Sequence, residues 1–416
     1  MSLFQVIAAF LTVMAVVGWA NARTLKLPQS VAMLSAGVLL AGVLFAAQSV
    51  IGPFWGFDSV RAEILRLDFS EAVLGYMLAF LLFSGGMQVD LGEFNNRRLA
   101  ITSLATLGVL ISTVLVGVGV WGAAALVGIP LTLPWALVFG ALISPTDPVA
   151  VMANVRSGVL SRRLGAVLQG EALFNDGVGL VAFTAALTFA ASGVAPDPGH
   201  TAAIIVEAAG GGLLLGLAGG YLVSWFMRVI DDYVVELTAS LALAAGVYVL
   251  AEMLHVSGSI AAGAAGLVVG SYGVKTAMSE ATRAHIQSFW HLADEVLNGL
   301  LFLLLGLQIF IVPFDLQEVG LWLAAIALTV LARLIVVLPW GVYFHLRHDE
   351  RRPSLMLAWG GLRGAISLAL ALTLPRGEPK PTLLATTFAV VIFSVLIQGL
   401  SFGPLARRWH KAEPQP

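Results

Sequence analysis

The stretch Gly170-Glu171-Ala172-Leu173-Phe174-Asn175-Asp176-Gly177 puts two carboxylic acids and an amide in the middle of an apolar segment that runs from about 164 to 191. An ionised side chain at the centre of a membrane helix costs roughly 3 kcal/mol, so this trio needs a partner or a task. On a helix, Glu171 and Asn175 are i,i+4 neighbours on one face, whereas Asp176 stands about 140° from Glu171 and shares its face with Ala172. Two faces imply two tasks. One carboxylate can sit in a fixed ion pair with Asn175 beside it, while the other, with Asp176 the first candidate, binds something and lets it go.

Two further segments carry chemistry inside apolar runs. Ser144-Pro145-Thr146-Asp147-Pro148 flanks an acid with two prolines, each of which removes an N–H donor and clashes with the preceding turn. The helix should unwind there, freeing carbonyls for an ion and leaving helix ends with partial charges. Gly360-Gly361-Leu362-Arg363-Gly364 should interrupt a second helix. An Asp147 carboxylate near two positive half-helix ends, and Arg363 near two negative ones, would offset each other's fields. Arg333 lies some ten residues from the nearer end of its span, too deep to reach a headgroup easily, and calls for an acidic partner or a water-filled cavity.

The elements that must position these groups are membrane helices. Of 416 residues, 59% are hydrophobic and 11% charged, with a mean hydropathy of +0.93, and the apolar runs recur at lengths near 20. The expected fold is all-α and polytopic, with about thirteen spans near 4–20, 28–50, 69–87, 99–125, 133–153, 164–191, 201–227, 233–254, 257–273, 291–312, 317–343, 354–375 and 381–403. The two broken spans, fifth and twelfth, occupy corresponding places in two runs of six around a linking seventh. That is the pattern of inverted repeats whose discontinuous helices cross near a binding site. The expected division is a core bundle of about 99–191 plus 317–403, a scaffold of about 1–94 plus 233–312, and a linking helix at 201–227.

Charge placement orients the chain. Loops after even-numbered spans hold only Arg61, Arg66, Arg376 and Lys380; apart from Arg333 and Arg363, every other Lys and Arg lies in loops after odd-numbered spans or in the C-terminal tail, Lys411 included. The expectation is an N-terminus outside and a C-terminus in the cytoplasm of a bacterial inner membrane, without a large regulatory domain. Ala20-Asn21-Ala22 resembles a signal-peptide cleavage site, but no Lys or Arg precedes the apolar run. With no cysteine there are no disulfides or thiolate metal sites, and neither a nucleic-acid-type basic patch nor a nucleotide loop is present. Glu207, Glu252 and His255 lie near span ends, Asp294, Glu295 and Asn298 are candidates for a funnel, and His285 and His291 fall in or beside a loop that reads as an interfacial amphipathic segment. Glycines 210–212, 216, 219, 220, 258, 263, 266 and 270 allow close helix contact, within or between subunits.

Taken together, Thr146-Asp147-Pro148, the 170–177 stretch, Ala332-Arg333-Leu334 and Gly360-Gly361-Leu362-Arg363-Gly364-Ala365-Ile366 resemble the NhaP-type monovalent cation/proton antiporters, in the expected order and over nearly the whole membrane domain. The resemblance implies an NhaA-like inverted-repeat fold, a homodimer, and a core bundle that moves against a dimerisation scaffold. It implies that Asp176 is the ligand of the exchanged ion and the proton carrier, that Asp147 and Thr146 neighbour it from the broken helix, and that Glu171 pairs with Arg333 with Asn175 joining that cluster. The family commonly has Ser where this chain has Ala172, so a water or a carbonyl must replace that hydroxyl, and ion selectivity is what this affects.

The expected reaction is electroneutral exchange of one Na⁺, with K⁺ or Li⁺ as alternatives, for one H⁺. A carboxylate taken out of water holds its proton more firmly, and a hard cation that needs several oxygens competes for the same group. No cofactor is called for beyond the transported ions, and no nucleophile-base constellation marks an enzyme. The alternative is a proton- or cation-coupled transporter of a small organic anion, which should place more basic groups than acids at the crossing.

Overall fold

The computed structural model describes residues 3–51, 70–147, 149–156, 158–195, 197–310, 312–348, 350–377 and 379–409. Arg61, Arg66, Pro148 and Lys411 lie outside the described residues. Helices follow from the apolar runs because a chain with no water at hand must satisfy its N–H and C=O groups within the segment. They are α1 Leu3–Arg23, α2 Gln29–Ile51, α3 Leu78–Met87, α4 Leu91–Leu126, α5 Leu133–Ile143, α6 Val149–Arg156, α7 Arg162–Ser192, α8 Pro198–Met227, α9 Tyr233–Met253, α10 Gly258–Val268, α11 Glu280–Leu307, α12 Val319–His348, α13 Pro353–Gly360, α14 Ala365–Thr373 and α15 Lys380–Trp409. Among the described residues, eight helical stretches are long and apolar enough to cross a membrane by length and composition, and no strand forms.

Helix starts are fixed by short polar side chains at the ends of apolar runs. Asp90, Ser161, Asp197, Asp232, Ser257 and Ser279 each accept a first-turn N–H at the start of α4, α7, α8, α9, α10 and α11. The Ser279 cap begins α11 eleven residues before the apolar run expected at 291, so His285 and His291 stand on a helix rather than in a loop. Glu207, Glu252 and His255 are exposed.

The expected breaks are present. α5 ends at Ile143 and the chain resumes as α6 at Val149; α13 ends at Gly360 and α14 starts at Ala365. The Asp147 N–H donates to the Leu362 carbonyl at 2.8 Å, a lone antiparallel bridge that lays one break against the other. Glycines bring the surrounding helices close. A Cβ on Gly266 would land on the Phe83 carbonyl of α3, and one on Gly216 on the Ala261 carbonyl of α10. The glycine runs of α8 and α10 therefore pack within the chain.

Candidate functional site

α7 delivers its polar residues to two different places. Glu171, 1% exposed, takes both terminal nitrogens of Arg333, with Nη1 to Oε1 at 2.5 Å and Nη2 to Oε2 at 2.8 Å. The fork geometry of a guanidinium fits a carboxylate in this way. Thr146 Oγ1 donates to Glu171 Oε1 at 3.4 Å and accepts from Asn175 Nδ2 at 2.9 Å, so Asn175 ties the broken segment to the ion pair. Glu171, Asn175 and Arg333 are all buried, and none of them lines the cavity that Asp176 faces.

Asp176 faces the other way, into a cavity of about 670 Å³ that Thr146, Asp147, Ala172 and Gly364 also line. Its carboxylate takes no hydrogen bond among the described residues. Asp147 is more constrained, because its Oδ1 accepts the Val149 N–H at 2.9 Å and so caps α6. A Cβ on Gly364 would come within 2.5 Å of Asp147 Oδ2, so the second oxygen lies against the start of α14. Asp147 thus serves the positive ends of both half-helices α6 and α14.

The negative ends are divided between two arginines. Arg363 Nη1 donates to the Ser144 carbonyl and, at 3.0 Å, to the Pro145 carbonyl at the end of α5. Arg333 Nε donates to the Leu357 carbonyl in the last turn of α13 at 3.3 Å. Beside Arg363, which was expected near both negative ends, Arg333 caps one of them, because a guanidinium has donors to spare after its carboxylate fork is filled. The Arg363 N–H in turn donates to Ser394 Oγ at 2.7 Å, and that hydroxyl donates to Gln398 Oε1 at 2.8 Å within a π-helical turn of α15.

Asp294, Glu295 and Asn298 of α11, together with Asp90, Glu93 and Arg162, line the same cavity as Asp176. The funnel expected on α11 is thus continuous with the Asp176 site. Gln169 was missed. It stands seven residues before Asp176, two turns along the same face, lines the cavity, and donates from Nε2 to the Gly85 carbonyl of α3 at 3.3 Å. That spacing was available as a signal. Chemically, the residues lining the cavity bring carboxylate and hydroxyl groups together, which suits a hard cation or a proton.

Comparison with known proteins agrees with this chemistry. The family model described as sodium/hydrogen exchanger, transmembrane, matches residues 11–408. The chain is 37% identical to the Na⁺/H⁺ antiporter NhaP of Pseudomonas aeruginosa, covering 99% of this chain and 98% of that one. It is 34% identical to the Na⁺/H⁺ antiporter NhaH of Halobacillus aidingensis, covering 94% of each. Its fold matches the solved structure of the sodium proton antiporter MjNhaP1 from Methanocaldococcus jannaschii at pH 8 with a TM-score of 0.70, 19% identity, and coverage of 98% of this chain and 99% of that one.

Proposed function

The chain belongs to the sodium/hydrogen exchanger family, and from that premise we propose that it is a secondary antiporter exchanging Na⁺ for H⁺ across a membrane. The carrying observation is the division on α7: Glu171 is locked by Arg333, whereas Asp176 meets the cavity with no hydrogen bond to hold it. Cation and proton compete for Asp176, with Asp147 and Thr146 supplying neighbouring oxygens and Asn175 fixing Thr146. In place of the hydroxyl missing at Ala172, a water in the cavity completes the cation's shell.

Exchange is one to one and electroneutral, because Glu171 stays neutralised and Asn175 cannot ionise. Na⁺ is the favoured substrate, with K⁺ and Li⁺ as alternatives to be ranked. The core bundle, about 99–191 plus 317–403, carries the loaded site past a scaffold of about 1–94 plus 233–312, in an inverted-repeat fold of thirteen crossings assembled as a homodimer. The cavity-lining residues Asp90, Glu93 and Arg162 lie at helix starts beside the basic loops, which supports a conformation open to the cytoplasm of a bacterial inner membrane.

The organic-anion reading fares worse, since among the described residues Asp147, Asp176, Asp294 and Glu295 line the cavity against a single arginine, Arg162. The test is purified protein in liposomes with a trapped pH dye, given Na⁺, K⁺ and Li⁺ in turn with and without a clamped potential. A cation-specific, potential-insensitive proton flux that Asp176→Asn abolishes is the expected result. Flux that persists in Asp176→Asn removes Asp176 from its role, and no flux with any cation removes the antiport reading.

A further inference from the structure

Behind the ion site, on the side of the basic loops, Arg97 of α4 points Nη1 at His348 Nε2 across 2.9 Å, with its guanidinium over the Phe344 ring. A guanidinium has N–H donors and no lone pair, so Nε2 must accept, and the His348 ring must be without a proton there. An imidazolium has no acceptor at either nitrogen. A proton and Arg97 therefore compete for one lone pair, and the winner decides whether two cations face each other.

His348 ends α12, the helix that carries Arg333, and opens the short loop to the half-helix α13. That loop is held at two more points. The buried Glu350 accepts the Ser161 hydroxyl at 2.9 Å, and Ser161 is the cap of α7, the Asp176 helix. His345 Nδ1 meets the Glu350 carbonyl at 2.8 Å. Arg352 is held at a φ of 48°, a left-handed conformation that a non-glycine residue adopts only when its surroundings impose it. The two histidines respond oppositely to acid. His345 faces an acceptor and keeps its bond when protonated, whereas His348 faces a donor and loses it. The charges acting on His348 are Arg97 from α4, Arg163 from α7, Arg347 from its own helix and Glu350 from the loop.

We propose that His348 is a second proton-binding site, separate from Asp176, and that a proton there unfastens the α12–α13 loop and slows turnover. The transport half of this rests on the antiport reading; the structural half does not. His348→Gln keeps an amide oxygen for Arg97 and cannot take a proton, whereas His348→Lys carries a fixed charge.

The first readout is hydrogen–deuterium exchange of the peptide spanning 345–356 in the purified full-length protein, corrected for intrinsic rates, from about pH 8 to about pH 5. Wild type should lose protection as pH falls, His348→Gln should keep it throughout, and His348→Lys should lack it already at pH 8. His345→Gln should retain the wild-type pH dependence. The second readout is Vmax at saturating Na⁺, where competition at Asp176 is overcome. Acid on that face should lower it in wild type and leave it level in His348→Gln. A His348→Gln protein whose loop loses protection like wild type overturns the proposal, as does a His348→Lys loop that stays protected. If wild type carries no Na⁺ flux, the antiport reading falls and the deuterium data still decide the loop.

Discussion

Two carboxylates five residues apart have opposite surroundings, and each predicts a different failure. Removing Arg333 leaves Glu171 charged at 1% exposure with only the Thr146 hydroxyl at 3.4 Å, and leaves the Leu357 carbonyl uncapped. Breaking a buried pair from one side costs about 3–5 kcal/mol, so Arg333→Ala should unfold at clearly lower temperature in detergent. Adding Glu171→Gln should recover part of that loss, since no charge is then stranded; an Arg333→Ala protein as stable as wild type would show that the pair is not structural. Asp176 predicts a kinetic effect instead. Under the proposed competition of proton and Na⁺ for its oxygens, acidifying the loading side should raise the apparent KM for Na⁺, approaching about tenfold per pH unit once the carboxylate is mostly protonated. Measured in His348→Gln, Vmax should stay constant over the same range. A KM that ignores pH would mean that the two ions do not share the site.

At the scale of elements, both breaks could be read from residue type, because proline lacks a donor and a Gly-Gly pair weakens a helix wherever it falls. That Asp147 N–H bonds the Leu362 carbonyl could not, since no local pattern couples residues so far apart in the chain. The same holds for Arg333 capping α13: its depth in the membrane required a partner, but not a second one. The early start of α11 was missed for another reason. Hydropathy marks where a helix enters lipid, whereas Ser279 marks where the helix begins. A close contact at the crossing gives a test. Gly364→Ala places a Cβ within 2.5 Å of Asp147 Oδ2, where the side chain already caps α6 and cannot easily retreat. It should sharply raise the KM for Na⁺ or abolish exchange, with the effect read in liposomes. Gly246→Ala in the middle of α9, where a Cβ meets nothing within 4 Å, should leave exchange intact and stabilise by about 0.5–1 kcal/mol. Equal outcomes for the two would mean that the crossing tolerates a side chain there.

For the whole molecule, the site's depth and the acidity of its approach matter together. Asp90, Glu93, Asp294 and Glu295 line the cavity that Asp176 also lines, and charges of one sign on low-dielectric walls concentrate counter-ions there. Which side the site serves in this conformation can be asked cleanly, because the chain has no cysteine to remove. Ala166→Cys puts a thiol on the cavity wall, between Arg162 and Asp176 on α7. Val194→Cys puts one just past the other end of the same helix, at a residue 71% exposed. A membrane-impermeant cationic thiol reagent should modify Ala166→Cys only from the side of the basic loops, and Val194→Cys only from the opposite side. An anionic reagent of similar size should react more slowly at Ala166→Cys, and the difference should shrink as salt screens the acidic walls. Saturating Na⁺ should slow the modification of Ala166→Cys and leave Val194→Cys unaffected, because only the first thiol shares a compartment with the bound ion. If both thiols react from one side, then the cavity opens on the Val194 side and not on the side of the basic loops.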